Sequence, residues 1–162
     1  MRNKKIRKKL YGAKYKIAIA KANFNGEITS GLLAGCLRAL KECAVSDKNI
    51  KILEVPGSFE LPLAAQKLAA ANPHGGRVKK YDAVICLGAV IKGETKHDEY
   101  ISSACSMGLV NVALKFNLPV LFAVLTTPNL ELAKARAGDD DFNKGYEAGL
   151  AAVEILDNLA KI

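Results

Sequence analysis

The residues of this chain best suited to chemistry stand together in Lys92-Gly93-Glu94-Thr95-Lys96-His97-Asp98, a polar run that directly follows the apolar stretch Ala83–Ile91. The histidine is one of two in the chain, and Gly93 lets the main chain come close to a ligand. Thr95-x-x-Asp98 has the pattern of a capping box, so a helix is expected to open here. Main-chain N–H groups at such a helix start attract an anion. His97 falls in the first turn, where the helix dipole disfavours an imidazolium and so suits a group that accepts a proton. On residue type alone a structural histidine is an equal alternative; the glycine-led approach and the helix start favour catalysis.

The elements that must position this run can be read outward from it. Ala83–Ile91 is short and rich in Val and Ile, the mark of a strand buried on both faces in a parallel sheet. A first strand is expected at Lys16–Ala20, followed by the loop Lys21–Asn25 and a helix with Ile28, Leu32, Leu33, Cys36, Leu37 and Leu40 on one stripe. A second strand at about Ile50–Val55 leads to a helix for which Ser58 is the expected N-cap, with Pro62 in its first turn. Asn72–Gly76 reads as a loop. After His97 a helix carries Ile101, Cys105, Leu109, Val112 and Phe116 on one face and ends at Asn117-Leu118-Pro119. Val120–Leu125 is a fourth strand, with Thr127 expected as N-cap and Pro128 as first residue of a short helix running to Arg136. The last helix, from about Lys144, should bury Tyr146, Leu150, Val153 and either Ile155 or Leu156. Strand and helix alternate throughout, which argues for an α/β domain around a parallel sheet.

In open α/β sheets ligands bind beyond the carboxyl ends of the strands. The unusual polar and aromatic residues follow successive strands on that one edge: Phe24-Asn25, Gly57-Ser58-Phe59-Glu60, Gly93 to His97, and Thr126-Thr127. Phe24 and Phe59 stand out in an aromatic-poor chain as platforms for flat ring contact. Arg136 can pair a phosphate bidentately or serve as a helix C-terminal cation, and spacing alone leaves both open. Lys144 reads as an ordinary helix-start lysine, and His74 as a solvated loop residue.

The chain's 162 residues suit one domain. Its net charge of +8 is concentrated in residues 1–16, which hold eight cations and no acid, leaving sixteen cations against sixteen acids in the remainder. The reading is a basic N-terminal arm (1–15) preceding one domain (16–162). Such an arm can bind phosphates, but no aromatic residue is interleaved in its basic run Arg2–Lys9 for base contact, so no nucleic-acid partner is expected. No apolar run approaches the roughly 20 residues that span a bilayer, and no signal-peptide pattern appears, so a cytoplasmic protein without membrane partners is expected. Four cysteines without metal or scaffold spacing read as reduced, buried thiols. Two distant histidines without a carboxylate cluster give no metal site, and the phosphate loops of nucleotide-binding proteins are absent.

Six motifs, Phe24-Asn25, Val55–Pro62 (VPGSFELP), Leu87–Tyr100 (LGAVIKGETKHDEY), Pro119–Thr127 (PVLFAVLTT), Ala135–Gly138 (ARAG) and Asn143–Ala148 (NKGYEA), occur in an order and spacing that resemble the 6,7-dimethyl-8-ribityllumazine synthase family. The resemblance covers about Lys16–Leu159. It implies a three-layer α/β/α sandwich with a four-stranded parallel sheet in flavodoxin-like order, and an N-terminal segment near Tyr11–Lys16 laid against a neighbouring subunit's sheet edge. It also implies the penultimate step of riboflavin biosynthesis, whose product passes to riboflavin synthase. A ribitylamino-pyrimidinedione condenses with 3,4-dihydroxy-2-butanone 4-phosphate, without metal or redox cofactor. On that resemblance Phe24 stacks on the pyrimidine, Ser58 and Glu60 hold the ribityl chain beside Phe59, and Ala89, Val90 and Ile91 offer main-chain groups to the ring edge. Gly93, Glu94, Thr95 and Arg136 take the phosphate, His97 moves protons, Lys144 touches the heterocycle, and Phe122 enters from a neighbouring subunit of a pentameric ring. Asp139-Asp140-Asp141-Phe142 departs from the loop common in members that build 60-subunit shells. The aspartates would repel across repeated contacts at low salt, which favours a pentamer. They are also the one feature supporting an alternative, a catalytically weak paralogue that binds lumazine or flavin or serves as a shell protein.

Overall fold

The computed structural model describes residues 9–71 and 80–162; the expected loop at Asn72–Gly76, His74 within it, and the first eight residues of the arm lie outside the described residues. Four strands, β1 (Ile17–Ala22), β2 (Ile50–Val55), β3 (Ala83–Ile91) and β4 (Val120–Thr127), alternate with helices α1 (Gly26–Glu42), α2 (Leu61–Ala70), α3 (His97–Phe116), α4 (Leu130–Ala135) and α5 (Lys144–Leu159). The strands form one all-parallel sheet in the order β2-β1-β3-β4. Because successive side chains of a strand point to opposite faces, Ile17, Ile19, Ile85 and Leu87 meet α1, α4 and α5 on one side. Ala18, Ala20, Val84 and Cys86 meet α2 and α3 on the other. Both faces are therefore apolar, and the chain is a three-layer α/β/α sandwich with the flavodoxin-like strand order.

Several boundaries differ from the sequence reading for physical reasons. β1 continues two residues past Ala20, because Lys21 pairs in register with Glu54 and Leu87. The buried Lys21 ammonium is satisfied there by Asn23 Oδ1 at 2.9 Å and Glu54 Oε1 at 3.4 Å. β4 likewise runs through Thr127, which pairs with Ile91. That keeps Thr127 and Pro128 out of helix, and Asn129 is the true cap, its Oδ1 accepting from Leu132 N at 2.9 Å. Ser58 is not an N-cap either; it lies in a single 3₁₀ turn, Ser58–Glu60, ahead of α2, while Pro62 does occupy the first turn.

The α1/α5 layer is packed main chain to main chain. A Cβ on Gly145 would run into the backbone of Leu32, and one on Gly149 would meet Ala39 and the Cys36 carbonyl. The sequence reading named the large residues of α5; Tyr146 and Val153 are buried, and Leu156 rather than Ile155 turns towards the core. The segment before β1 is held by its own chain. Gly12 N donates to Cys43 O at 2.6 Å, and the buried Tyr15 donates its hydroxyl to Asp157 at 2.7 Å. Burial and that carboxylate push the Tyr15 phenol up to about 12. Gly12 and Tyr15 are thus tied to their own chain.

Candidate functional site

A cavity of about 670 Å³ opens beyond the carboxyl ends of the strands, on the α2/α3 side of the sheet. Its position follows from the topology: β1 and β3 are adjacent, but the chain leaves β1 towards β2 on one side and reaches β4 on the other, so the loops part at this point. Phe24 and Asn25, which follow β1, form one wall. Asn25 takes a left-handed conformation with φ 56°, and its side-chain amide donates to the Ala89 carbonyl at 2.9 Å, tying the β1 loop to the end of β3. Phe24 N also donates to Pro56 O at 2.9 Å, which links the β1 and β2 loops. Phe24 is 72% exposed and Phe59 is 60% exposed, so two flat rings are offered to the cavity rather than to the core.

The second wall is the 3₁₀ turn with Ser58 and Glu60. It docks against β3 at Gly88, where a Cβ would come within 2.5 Å of Ser58 Oγ. An isolated glycine inside a strand marks such a close approach, and this signal went unused in the sequence reading. The end of β3 supplies Ala89, Val90 and Ile91 as the floor. Gly93, Thr95, His97 and Asp98 close the remaining side. His97 is the first residue of α3 and is exposed. The expected capping box is not made: Lys96 occupies the cap position without a side-chain bond, and Thr95 Oγ1 instead accepts from His97 N at 3.4 Å.

Four candidates lie elsewhere. Glu94 is exposed and does not line the cavity. Phe122, on edge strand β4, is 40% exposed and sits in register with Cys86, three rungs below Ala89. Arg136 caps α4 and Lys144 opens α5, so both belong to the opposite layer. There Glu147, a residue not singled out from sequence, receives both: Arg136 at 3.1 Å on one carboxylate oxygen and Lys144 at 3.1 Å on the other. Asn143, almost fully buried, fixes the turn between them by donating to Gly31 O at 2.9 Å and Gly138 O at 2.8 Å while its Oδ1 caps α5. The acidic run is anchored on α1: Arg38 donates to Asp140 O at 2.7 Å, lies 3.7 Å from the Asp141 carboxylate, and stacks 4.3 Å from the Tyr146 ring.

The cysteines offer the cavity no nucleophile. All four cysteines are free and buried, and burial pushes Cys36 up to about 12 and Cys105 up to about 11, far from a thiolate nucleophile near neutrality. Among the described residues no three metal-ligating side chains gather, and no helix is long and apolar enough to cross a membrane. A smaller cleft of about 300 Å³ along α5 carries Glu147, Glu154 and Asp157 but no aromatic group.

A three-layer parallel α/β sheet with a part-apolar, part-polar cavity at its switch point defines a small-molecule-binding α/β protein. Within that class the assignment is specific. The family model of 6,7-dimethyl-8-ribityllumazine synthase matches residues 14–160, and the chain belongs to that family, a transferase family of riboflavin biosynthesis.

Proposed function

We propose that this chain catalyses the condensation of 5-amino-6-(D-ribitylamino)uracil with 3,4-dihydroxy-2-butanone 4-phosphate to 6,7-dimethyl-8-ribityllumazine, phosphate and water. The observation that carries this reading is the single cavity in which Phe24, Ser58, Glu60, Ala89–Ile91, Gly93, Thr95 and His97 meet. In this scheme the pyrimidine lies against Phe24, with its edge on the main chain of β3 and its polyol towards Ser58 and Glu60. The phosphate lies at Gly93 and Thr95, where the start of the 20-residue α3 directs N–H groups outward. The 5-amino group attacks the ketone, an imine forms, phosphate leaves, and the ring closes with loss of water. His97 moves the protons, contributing roughly 10²–10⁴-fold, and holding two substrates together supplies much of the remainder. The reaction uses no cofactor, and the free thiols suit the reducing cytoplasm.

The same reading makes the working unit a ring of copies, at least a pentamer. Phe122, Arg136 and Lys144 do not line their own chain's cavity, and a second copy is proposed to bring them to it. α3 supports assembly independently. Besides its buried stripe it carries Tyr100, Met107, Val110 and Leu114 outward, all exposed, with Ser103 completing a three–four spacing. A helix apolar on both sides is one that a partner covers. The weak-paralogue alternative rested on the acidic run near Arg136, and Arg38 holding that run on α1 counts against it.

The decisive experiment mixes the purified protein with both substrates and follows lumazine fluorescence and phosphate release together. Both signals should rise in step, and His97→Ala should slow them at least about 100-fold at saturating substrate. No lumazine from the wild type would overturn the reading, and an unchanged rate in the variant would overturn the role of His97.

A further inference from the structure

Helix α1 carries a second stripe beside its apolar one. Gly31, Gly35, Arg38 and Glu42 follow one another at intervals of four, three and four residues, so they share one face of the helix. That face receives the turn between α4 and α5. A Cβ on Gly31 would run into the Ala137 carbonyl, and one on Gly35 into the Asn143 side chain, so both ends of the turn sit directly on the helix. Glu42 accepts from the Tyr146 hydroxyl at 2.6 Å and holds the first turn of α5 beside it. The middle of the turn is different, because Asp139, Asp140 and Asp141 are exposed. Arg38 reaches them, through the Asp140 carbonyl at 2.7 Å and the Asp141 carboxylate at 3.7 Å. The guanidinium is held there at some cost, since its Nε is shut off from solvent and donates to no described protein group.

Charge supplies a reason for a cation at this point. Segment 136–147 holds four acids against two cations, Arg136 and Lys144. Glu147 already binds both cations. A loose Asp141 carboxylate, five residues after Arg136 and three before Lys144, would compete with an incoming phosphate for the same two groups. Arg38 cuts the excess of acid from two charges to one and draws Asp141 towards α1. We propose that Arg38 is a positioning residue for the anionic substrate: it keeps the acidic turn on α1, so that Arg136 and Lys144 stay available to a phosphate. This role rests on the functional reading above.

The test measures KM for the butanone phosphate and for the pyrimidine on the full chain, at low and high salt, beside the melting temperature. Arg38→Ala should raise KM for the butanone phosphate about three- to tenfold and leave that for the pyrimidine within about twofold. Arg38→Lys, which keeps the charge but not the planar fork, should lose less. High salt screens the freed acid, so the ratio of variant to wild-type KM should shrink there. Rescue is the sharpest measure: adding Asp141→Asn to Arg38→Ala removes the freed carboxylate and should restore most of the lost affinity, which a merely structural clamp would not do. If Arg38→Ala melts too low to assay, Arg38→Gln carries the same comparison. An unchanged KM, an equal rise for both substrates, or no rescue by Asp141→Asn would overturn the role of Arg38 and leave the functional reading standing. A wild type that forms no lumazine would overturn that reading, and Arg38's role with it.

Discussion

The two helical layers of this molecule solve opposite problems. The α1/α5 layer is finished within the chain: Gly145 and Gly149 bring main chain onto main chain, and Asn143 and Arg38 fix the turn that joins α4 to α5. The α2/α3 layer is left open. It keeps a cavity of about 670 Å³, offers Phe24 and Phe59 to it, and turns a second apolar stripe of α3 outward. Rigid packing in one layer thus holds the Arg136–Glu147–Lys144 cluster in place, while looser packing in the other leaves a cavity open and an apolar helix face uncovered.

The largest expected effect tests the finished layer. Gly145→Ala should cost about 3 kcal/mol or more, a large share of a domain's stability, because the new Cβ meets the backbone of Leu32, which has nowhere to move. Urea denaturation reads this directly. In the open layer, Gly88→Ala meets side-chain atoms of Ser58, Leu61 and Val124 that can shift. It should cost only about 1–2 kcal/mol, but it should push the Ser58–Glu60 turn outward and weaken ribityl-ligand binding. Equal stability losses at the two glycines would break the contrast between the layers.

Next comes the proposed joining of the two layers across copies. Arg136→Ala should lower kcat/KM for the butanone phosphate roughly 10–150-fold. When His97→Ala and Arg136→Ala chains are unfolded together and reassembled, one site in four should draw an intact cavity and an intact arginine from two different copies. The mixture should then recover roughly a quarter of wild-type turnover. Activity no higher than the average of the separate variants would show that each site uses a single chain.

The smallest effect sharpens the finished layer. Ala44, just past α1, is exposed and left-handed at φ 63°, a conformation glycine adopts without strain. Ala44→Gly should therefore stabilise by about 0.5–1 kcal/mol, visible as a higher urea midpoint with unchanged activity.

Much of this was legible in the residues. The apolar run Ala83–Ile91 matches β3 end to end, and the stripe Cys105, Leu109 and Val112 is the buried face of α3. Period and length suffice there because burial on both sheet faces leaves one reading of such a run. The convergence of Phe24, Ser58, Phe59, Glu60 and His97 on one edge also followed from strand order, since loops after parallel strands share an end. Caps were less legible. Thr95, Ser58 and Thr127 were each plausible by type, but a docking turn took Ser58, sheet register took Thr127, and Thr95 fell one residue ahead of the cap position.

What the sequence by itself determined was the element pattern, the parallel α/β class and the residues able to do chemistry, because these depend on local period and side-chain type. Only the tertiary structure decided which of those residues share a space. It put Arg136 and Lys144 on Glu147 in the opposite layer, left Phe122 below the cavity on an edge strand, and turned Asp98 inward without a donor. Those outcomes depend on which face of the sheet each helix covers and on how closely glycines let backbones approach, and neither is written in any single segment.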